Sequence, residues 1–146
     1  MQWGKLLFNL NNALNALANL PLRRQLAQRP WRKLFADQMA EGLAAISAPT
    51  ASSRSRRRRY RSAGCRHCCA CPDAIFEALL GRTMKIDPEA RSSMWEDLQR
   101  GRRTEIDYLQ GVITEIAERR GLEAPLSRRI VELIRKAERP ARARRA

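Results

Sequence analysis

Leu6, Leu10, Leu14 and Leu17 recur at steps of four, four and three residues, which sets them on one helix face and predicts a helix over residues 3 to 20. Pro21 and Pro30 then punctuate a short basic connection. Pro30 suits the first turn of a second helix over 31 to 47, with Trp31, Leu34, Phe35, Met39 and Leu43 on its apolar side. After Pro49 the periodicity stops, and it returns at Pro72, where Ile75, Phe76, Leu79 and Leu80 trace a helical stretch that Gly81 can end. Ser92 or Ser93 can cap a helix reaching Leu98, Gly101 breaks it, and Thr104 can cap one carrying Ile106, Leu109, Ile113 and Ile116. Gly121 and Pro125 close that helix, and residues 126 to 137 form the last, with Ile130, Leu133 and Ile134 inward. No run alternates with a period of two, so the predicted fold class is all-α, and no internal repeat is present.

Length and composition bound this picture. A chain of 146 residues, 44% of them hydrophobic, makes one domain with an ordinary core and excludes a wholly disordered protein. No run approaches the ~20 apolar residues of a membrane span. Five asparagines interrupt the stretch from Trp3 to Leu20, which therefore reads neither as a span nor as a signal peptide. The expectation is a soluble, cytoplasmic protein without a membrane partner.

The net charge of +14 is concentrated in two places. Arg54, Arg56, Arg57, Arg58, Arg59 and Arg61 form one cluster and Arg139, Arg142, Arg144 and Arg145 another; without them the charge would be +4. Cys65, Cys68, Cys69, Cys71 and the single His67 share one short stretch. Cysteines so crowded cannot staple a fold and do not argue for secretion. The basic run could track phosphates, which makes a nucleic-acid-binding helical protein one alternative, although Tyr60 is the one aromatic there to stack a base. A zinc site is a second alternative, but the ligands are crowded and lack the spaced second pair of finger-like sites, so no metal is expected. The plain expectation is a solvated run with nonspecific attraction to polyanions, and a disordered basic tail over 139 to 146.

The first helix carries the most informative chemistry. At 100° per residue Lys5, Asn9 and Asn12 fall within about 60° of one another, opposite the leucines, and form a polar ridge that Asn11, Asn15 and Asn19 widen. Asparagine competes with the backbone for hydrogen bonds, so five of them carry a propensity cost that something must offset. Taken alone, the ridge would read as a solvated face.

It does not stand alone. Downstream come Arg91-Ser92-Ser93-Met94-Trp95-Glu96-Asp97-Leu98, Arg100-Gly101 and Thr104-Glu105-Ile106-Asp107-Tyr108-Leu109-Gln110-Gly111. With the opening K-L-x-x-N-x-x-N-x-L-x-A-L, these resemble, in the right order, the C-terminal domain of the 2-dehydropantoate 2-reductase (ketopantoate reductase) family. The resemblance covers most of residues 3 to 138. It implies a helical substrate and dimerisation-type domain, like that of 6-phosphogluconate dehydrogenase-like reductases, closing on a Rossmann domain that holds NADPH. The family's catalytic lysine matches Lys5, its acidic site residue Glu105, its helix asparagines Asn9 and Asn12, and its substrate-binding serine Ser93. In many members the second asparagine lies one residue further on and precedes proline; here Ala13 follows Asn12, a one-residue shift.

These residue types suit the implied reaction. Adding hydride to a ketone puts negative charge on the oxygen, so an ammonium such as Lys5 can polarise it and deliver a proton. Asn9 and Asn12 can orient lysine and substrate, Ser93 can donate to a carboxylate or hydroxyl, and Glu105 can accept from a substrate hydroxyl. Without the resemblance, Glu105 is an ordinary acid in a helix first turn.

One departure is large. A dinucleotide fold needs a G-x-G-x-x-G turn, and no two of the seven glycines lie closer than ten positions. The chain reads as the C-terminal part of a reductase, truncated or frame-disrupted and inactive alone, whose partners are a 2-oxo acid (ketopantoate), a Rossmann domain or neighbouring polypeptide, and, left open, a second copy. The domain expectation is a reductase-like unit over 1 to 138, interrupted by the anomalous Arg/Cys-rich segment at about 51 to 72. Arginine outnumbers lysine 25 to 4, which points to a GC-rich gene. With G- or C-ending codons, Ala63 to Pro72 can be written so that the third-base frame reads Arg-Leu-Pro-Ala-Leu-Leu-Arg-Leu-Pro, every cysteine becoming leucine. The expectation is that this segment is translated in a shifted frame.

Overall fold

A computed structural model of the chain describes residues 3–48 and 87–139, all helix, turn or loop without a strand. The Arg/Cys-rich stretch, the apolar positions at 75 to 80 and the tail beyond Arg139 lie outside the described residues.

The expected first helix is two: α1 (Trp3–Asn9) and α2 (Asn11–Ala18). The break falls at Leu10, the N-cap of α2, whose carbonyl also accepts a hydrogen bond from Gln110 Nε2 at 2.9 Å. Leu6, Leu10 and Leu14 point into the core as their spacing predicts, and Leu17 is half-buried. Asn19 ends α2 in the left-handed conformation (φ 52°), which asparagine tolerates better than most residues.

The connection after Pro21 is itself helical, α3 (Leu22–Ala27), too short for its periodicity to stand out in the sequence. Next comes α4 (Arg29–Ser47), with Pro30 in its first turn as expected. Its buried positions differ from the expected apolar face: Arg32, Gln38, Gly42 and Ala45 are buried, Trp31, Leu34, Phe35 and Met39 are half-buried, and Leu43 is exposed. The reason is close helix approach. A Cβ on Gly42 would stand 2.8 Å from Leu7 Cδ2 and 3.3 Å from Leu10 Cδ1, so a small residue lets α1 and α2 lie against α4.

After the interval come α5 (Ser93–Gln99), a 3-10 turn (Ile106–Tyr108), α6 (Gln110–Arg119) and α7 (Pro125–Glu138). Ser92 is the cap of α5, its Oγ accepting from the Trp95 backbone N–H at 3.2 Å. Thr104 opens the 3-10 turn and not α6, with Oγ1 accepting from Ile106 N–H at 3.3 Å. Gly101 and Gly121 adopt φ of +64° and +67° where α5 and α6 end, which accounts for glycine at both. Glu41 of α4 caps α7 from a distance, accepting from the N–H groups of Leu126 (3.0 Å) and Ser127 (2.7 Å). In α7, Ile130 and Ile134 face inward as predicted, joined by Val131, while Leu133 is half-buried.

Leu10, Leu14, Met94, Ile106, Ile113 and Ile134 close the core almost completely to solvent. Each such side chain contributes on the order of 1.5–3 kcal/mol of transfer free energy. No described helix is long and apolar enough to cross a membrane.

Candidate functional site

The site residues named from sequence sit around the α1–α2 break. Lys5 lies on the exposed side of α1, Asn9 is half-buried at its end, and Asn12 is half-buried in the first turn of α2. Ser93 is exposed at the start of α5, and Glu105 is exposed just before the 3-10 turn. The side chains of Lys5 and Glu105 hold no hydrogen bond or ion pair with any described residue. Other surface charges are tied to neighbours, as in Lys33–Asp37 (2.7 Å) and Arg119–Glu115 (2.9 Å).

Two side-chain bonds to backbone carbonyls bring the Ser92 and Gln110 segments to the α1–α2 break. Ser92 Oγ donates to the Asn12 carbonyl at 2.9 Å, which sets the start of α5, and Ser93 with it, against α2. Gln110 reaches the Leu10 carbonyl, so the segment that follows Glu105 docks at the helix break between Asn9 and Asn12. Two stretches about eighty and a hundred residues downstream thus converge on residues 10 to 12. No described hydrogen bond joins the side chains of Lys5, Asn9, Ser93 and Glu105 to one another.

The asparagine ridge divides in two. Asn9 and Asn12 keep partial access to solvent, whereas Asn11 and Asn15 are buried. Asn15 Nδ2 donates to Gln25 Oε1 (2.9 Å) and to the Leu20 carbonyl (3.0 Å), while its Oδ1 accepts from Ser92 N–H (2.8 Å). Gln25 Nε2 in turn donates to Asn11 Oδ1 (3.1 Å). This amide chain is the compensation that the propensity cost requires. Asn19 stays exposed, its Oδ1 accepting from the Trp95 indole N–H (2.8 Å) and from Arg91 (3.3 Å), whose guanidinium stacks 4.3 Å from the Trp95 ring centroid.

Sequence reasoning missed Asn15, Gln25, Ser92 and Gln110 as positioning residues. For Ser92 the signal was present, because a serine at a cap is a known anchor. Gln25 and Gln110 gave none, since a polar residue in a helix ordinarily faces water.

Comparison with known proteins gives the family and the fold. The family model for the C-terminal domain of ketopantoate reductase PanE/ApbA matches residues 1–138. The 2-dehydropantoate 2-reductase of Archaeoglobus fulgidus is 35% identical over 57 residues, 39% of this chain and 19% of that protein. The 2-dehydropantoate 2-reductase of Pyrococcus horikoshii is 47% identical over 49 residues, 34% of this chain and 16% of that one. The crystal structure of a PanE/ApbA family ketopantoate reductase from Ralstonia eutropha JMP134 superposes with a TM-score of 0.63 at 28% identity, over 93% of this chain and 40% of that one. The matched region thus spans about two-fifths of the structural relative and less than a fifth of the curated ones.

Proposed function

The chain belongs to the ketopantoate reductase PanE/ApbA C-terminal family, and on that premise we propose that it supplies the substrate-binding and proton-donating part of an NADPH-dependent reduction of 2-dehydropantoate to pantoate, a step of pantothenate formation. The observation that carries this reading is the convergence of the Ser92 and Gln110 segments on the α1–α2 break between Asn9 and Asn12, at the end of the helix that carries Lys5.

In this reading Lys5 Nζ donates to the substrate's 2-oxo oxygen, stabilises the charge that develops there and transfers its proton as the alkoxide forms. A proton from water then restores the ammonium. Glu105, with no partner among the described residues, accepts a hydrogen bond from the substrate hydroxyl. Ser93 donates to the substrate carboxylate, and Asn9 and Asn12 orient lysine and substrate without adding charge. NADPH, held outside the described residues, would supply the hydride. The described residues form no strand followed by a glycine-rich turn, so they do not fit a dinucleotide pyrophosphate, and we derive no step through it. The reading assigns NADPH to a Rossmann domain, on this polypeptide or a neighbouring one, with the protein acting in the cytoplasm.

The test is reconstitution. The 146-residue chain combined with a ketopantoate reductase nucleotide-binding domain should reduce ketopantoate with NADPH, and neither part alone should do so. Turnover at a full rate by this chain alone would overturn the assignment of the cofactor to a separate domain.

A further inference from the structure

Glu138 closes α7, at the end of a helix where a negative charge is electrostatically unfavourable. One of its oxygens nevertheless takes two hydrogen bonds from a single residue: Thr104 N–H donates to Glu138 Oε1 at 2.8 Å and Thr104 Oγ1–H donates to the same atom at 2.7 Å. The Thr104 hydroxyl oxygen accepts in turn from Ile106 N–H at 3.3 Å. Ile106 is buried in the core. Asp107 is bonded to Arg135, one turn before Glu138 on α7, at 2.7 Å. In the run Thr104-Glu105-Ile106-Asp107, then, three residues are tied to the core or to the last turn of α7, and the Glu105 carboxylate between them is left exposed and without a partner among the described residues.

We infer that Glu138 is a positioning residue for Glu105: by holding Thr104 through both of its donors it fixes the backbone on which the Glu105 carboxylate is presented to substrate. The Arg135–Asp107 pair secures the other side, more weakly, because both side chains are more than half exposed and the pair is screened by solvent. The inference rests on the reading of Glu105 as the acceptor for the substrate hydroxyl, and the last turn of α7 becomes part of the substrate site without touching substrate.

The experiment uses the full chain with two readouts: amide hydrogen exchange at Thr104 and Ile106, and affinity for pantoate from NMR titration. Glu138→Ala should speed exchange at Thr104 and Ile106 at least about tenfold while Ile113 in α6 keeps its protection, which separates local release from unfolding. It should also weaken pantoate binding as much as Glu105→Ala does, with the double variant no weaker than either single one. Glu138→Gln, which keeps an acceptor oxygen, should restore both readouts, and Thr104→Val should reproduce part of the loss. Unchanged exchange at Thr104 in Glu138→Ala, or faster exchange with full pantoate affinity, would overturn this inference alone. Glu105→Ala binding pantoate as tightly as the parent chain would overturn the role of Glu105 itself, and with it the inference.

Discussion

Asn15 Oδ1 accepts the backbone N–H of Ser92 at 2.8 Å, joining α2 to the cap of α5 across 77 positions of sequence. The same side chain donates to Gln25 and to the Leu20 carbonyl, so one buried amide satisfies three groups, two of them on the buried Ser92 and Gln25. Asn15→Ala would orphan the Ser92 N–H and Gln25 Oε1. It should lower stability by about 2 to 4 kcal/mol, since each buried unpaired group costs about 1–3 kcal/mol. Glu96→Gln, which removes an exposed ion pair with Arg100, should change stability by less than about 1 kcal/mol. Urea unfolding of the three proteins checks both values.

The contact at Gly42 sets how closely α1 approaches α4. Gly42→Ala places its Cβ against the flexible end of Leu7, which can swing aside, and it gains helix propensity; its stability should stay within about 1 kcal/mol of the parent. Gly42→Leu cannot be absorbed in this way and should cost about 1–3 kcal/mol or more by forcing the helices apart. Thermal unfolding of the pair gives the ordering.

Residues 51 to 72 make a prediction about nucleic acid sequence. If the segment is read in a shifted frame, resequencing the gene should give codons whose neighbouring frame is rich in leucine where this chain has Cys65, Cys68, Cys69 and Cys71. A confirmed frame whose shifted translation is not leucine-rich removes that reading. Stoichiometric zinc in the purified protein would favour the metal alternative.

The basic clusters make another. Their attraction to nucleic acid should weaken steeply as salt rises and show no preference among sequences, because it is carried by phosphate charge. Filter binding at several salt concentrations measures the slope, and sequence-selective binding that persists at physiological salt would contradict a purely nonspecific role.

How far the sequence revealed the fold can be followed residue by residue. Leu6, Leu10 and Leu14 declared the buried side of α1 and α2, because a 3.6-residue period is a local property that packing seldom overrides. The break at Leu10 was hidden, since the apolar period runs through it unchanged, and the Gln110 bond to its carbonyl comes from a hundred positions away. On α4 the apolar pattern misled: Gly42 and Ala45 pack by being small, a criterion hydrophobicity does not register. The family match over residues 1–138 and the all-helical fold agree with the resemblance read from the two motifs. The roles of Lys5, Asn9, Asn12, Ser93 and Glu105 remain proposals. Their motifs located them, but the bonds that tie the downstream segments to α2 run through Asn15, Ser92 and Gln110, to which the motifs gave no role at the site.

The most direct measurement of the central claim is steady-state reduction of ketopantoate by the chain combined with a ketopantoate reductase nucleotide-binding domain, with Lys5 intact and replaced. Lys5→Ala should lower kcat by about 10²- to 10⁴-fold, the range expected when a general acid is removed, in a protein that still folds and still binds pantoate. A Lys5→Ala complex that turns over at the parent rate would contradict the account.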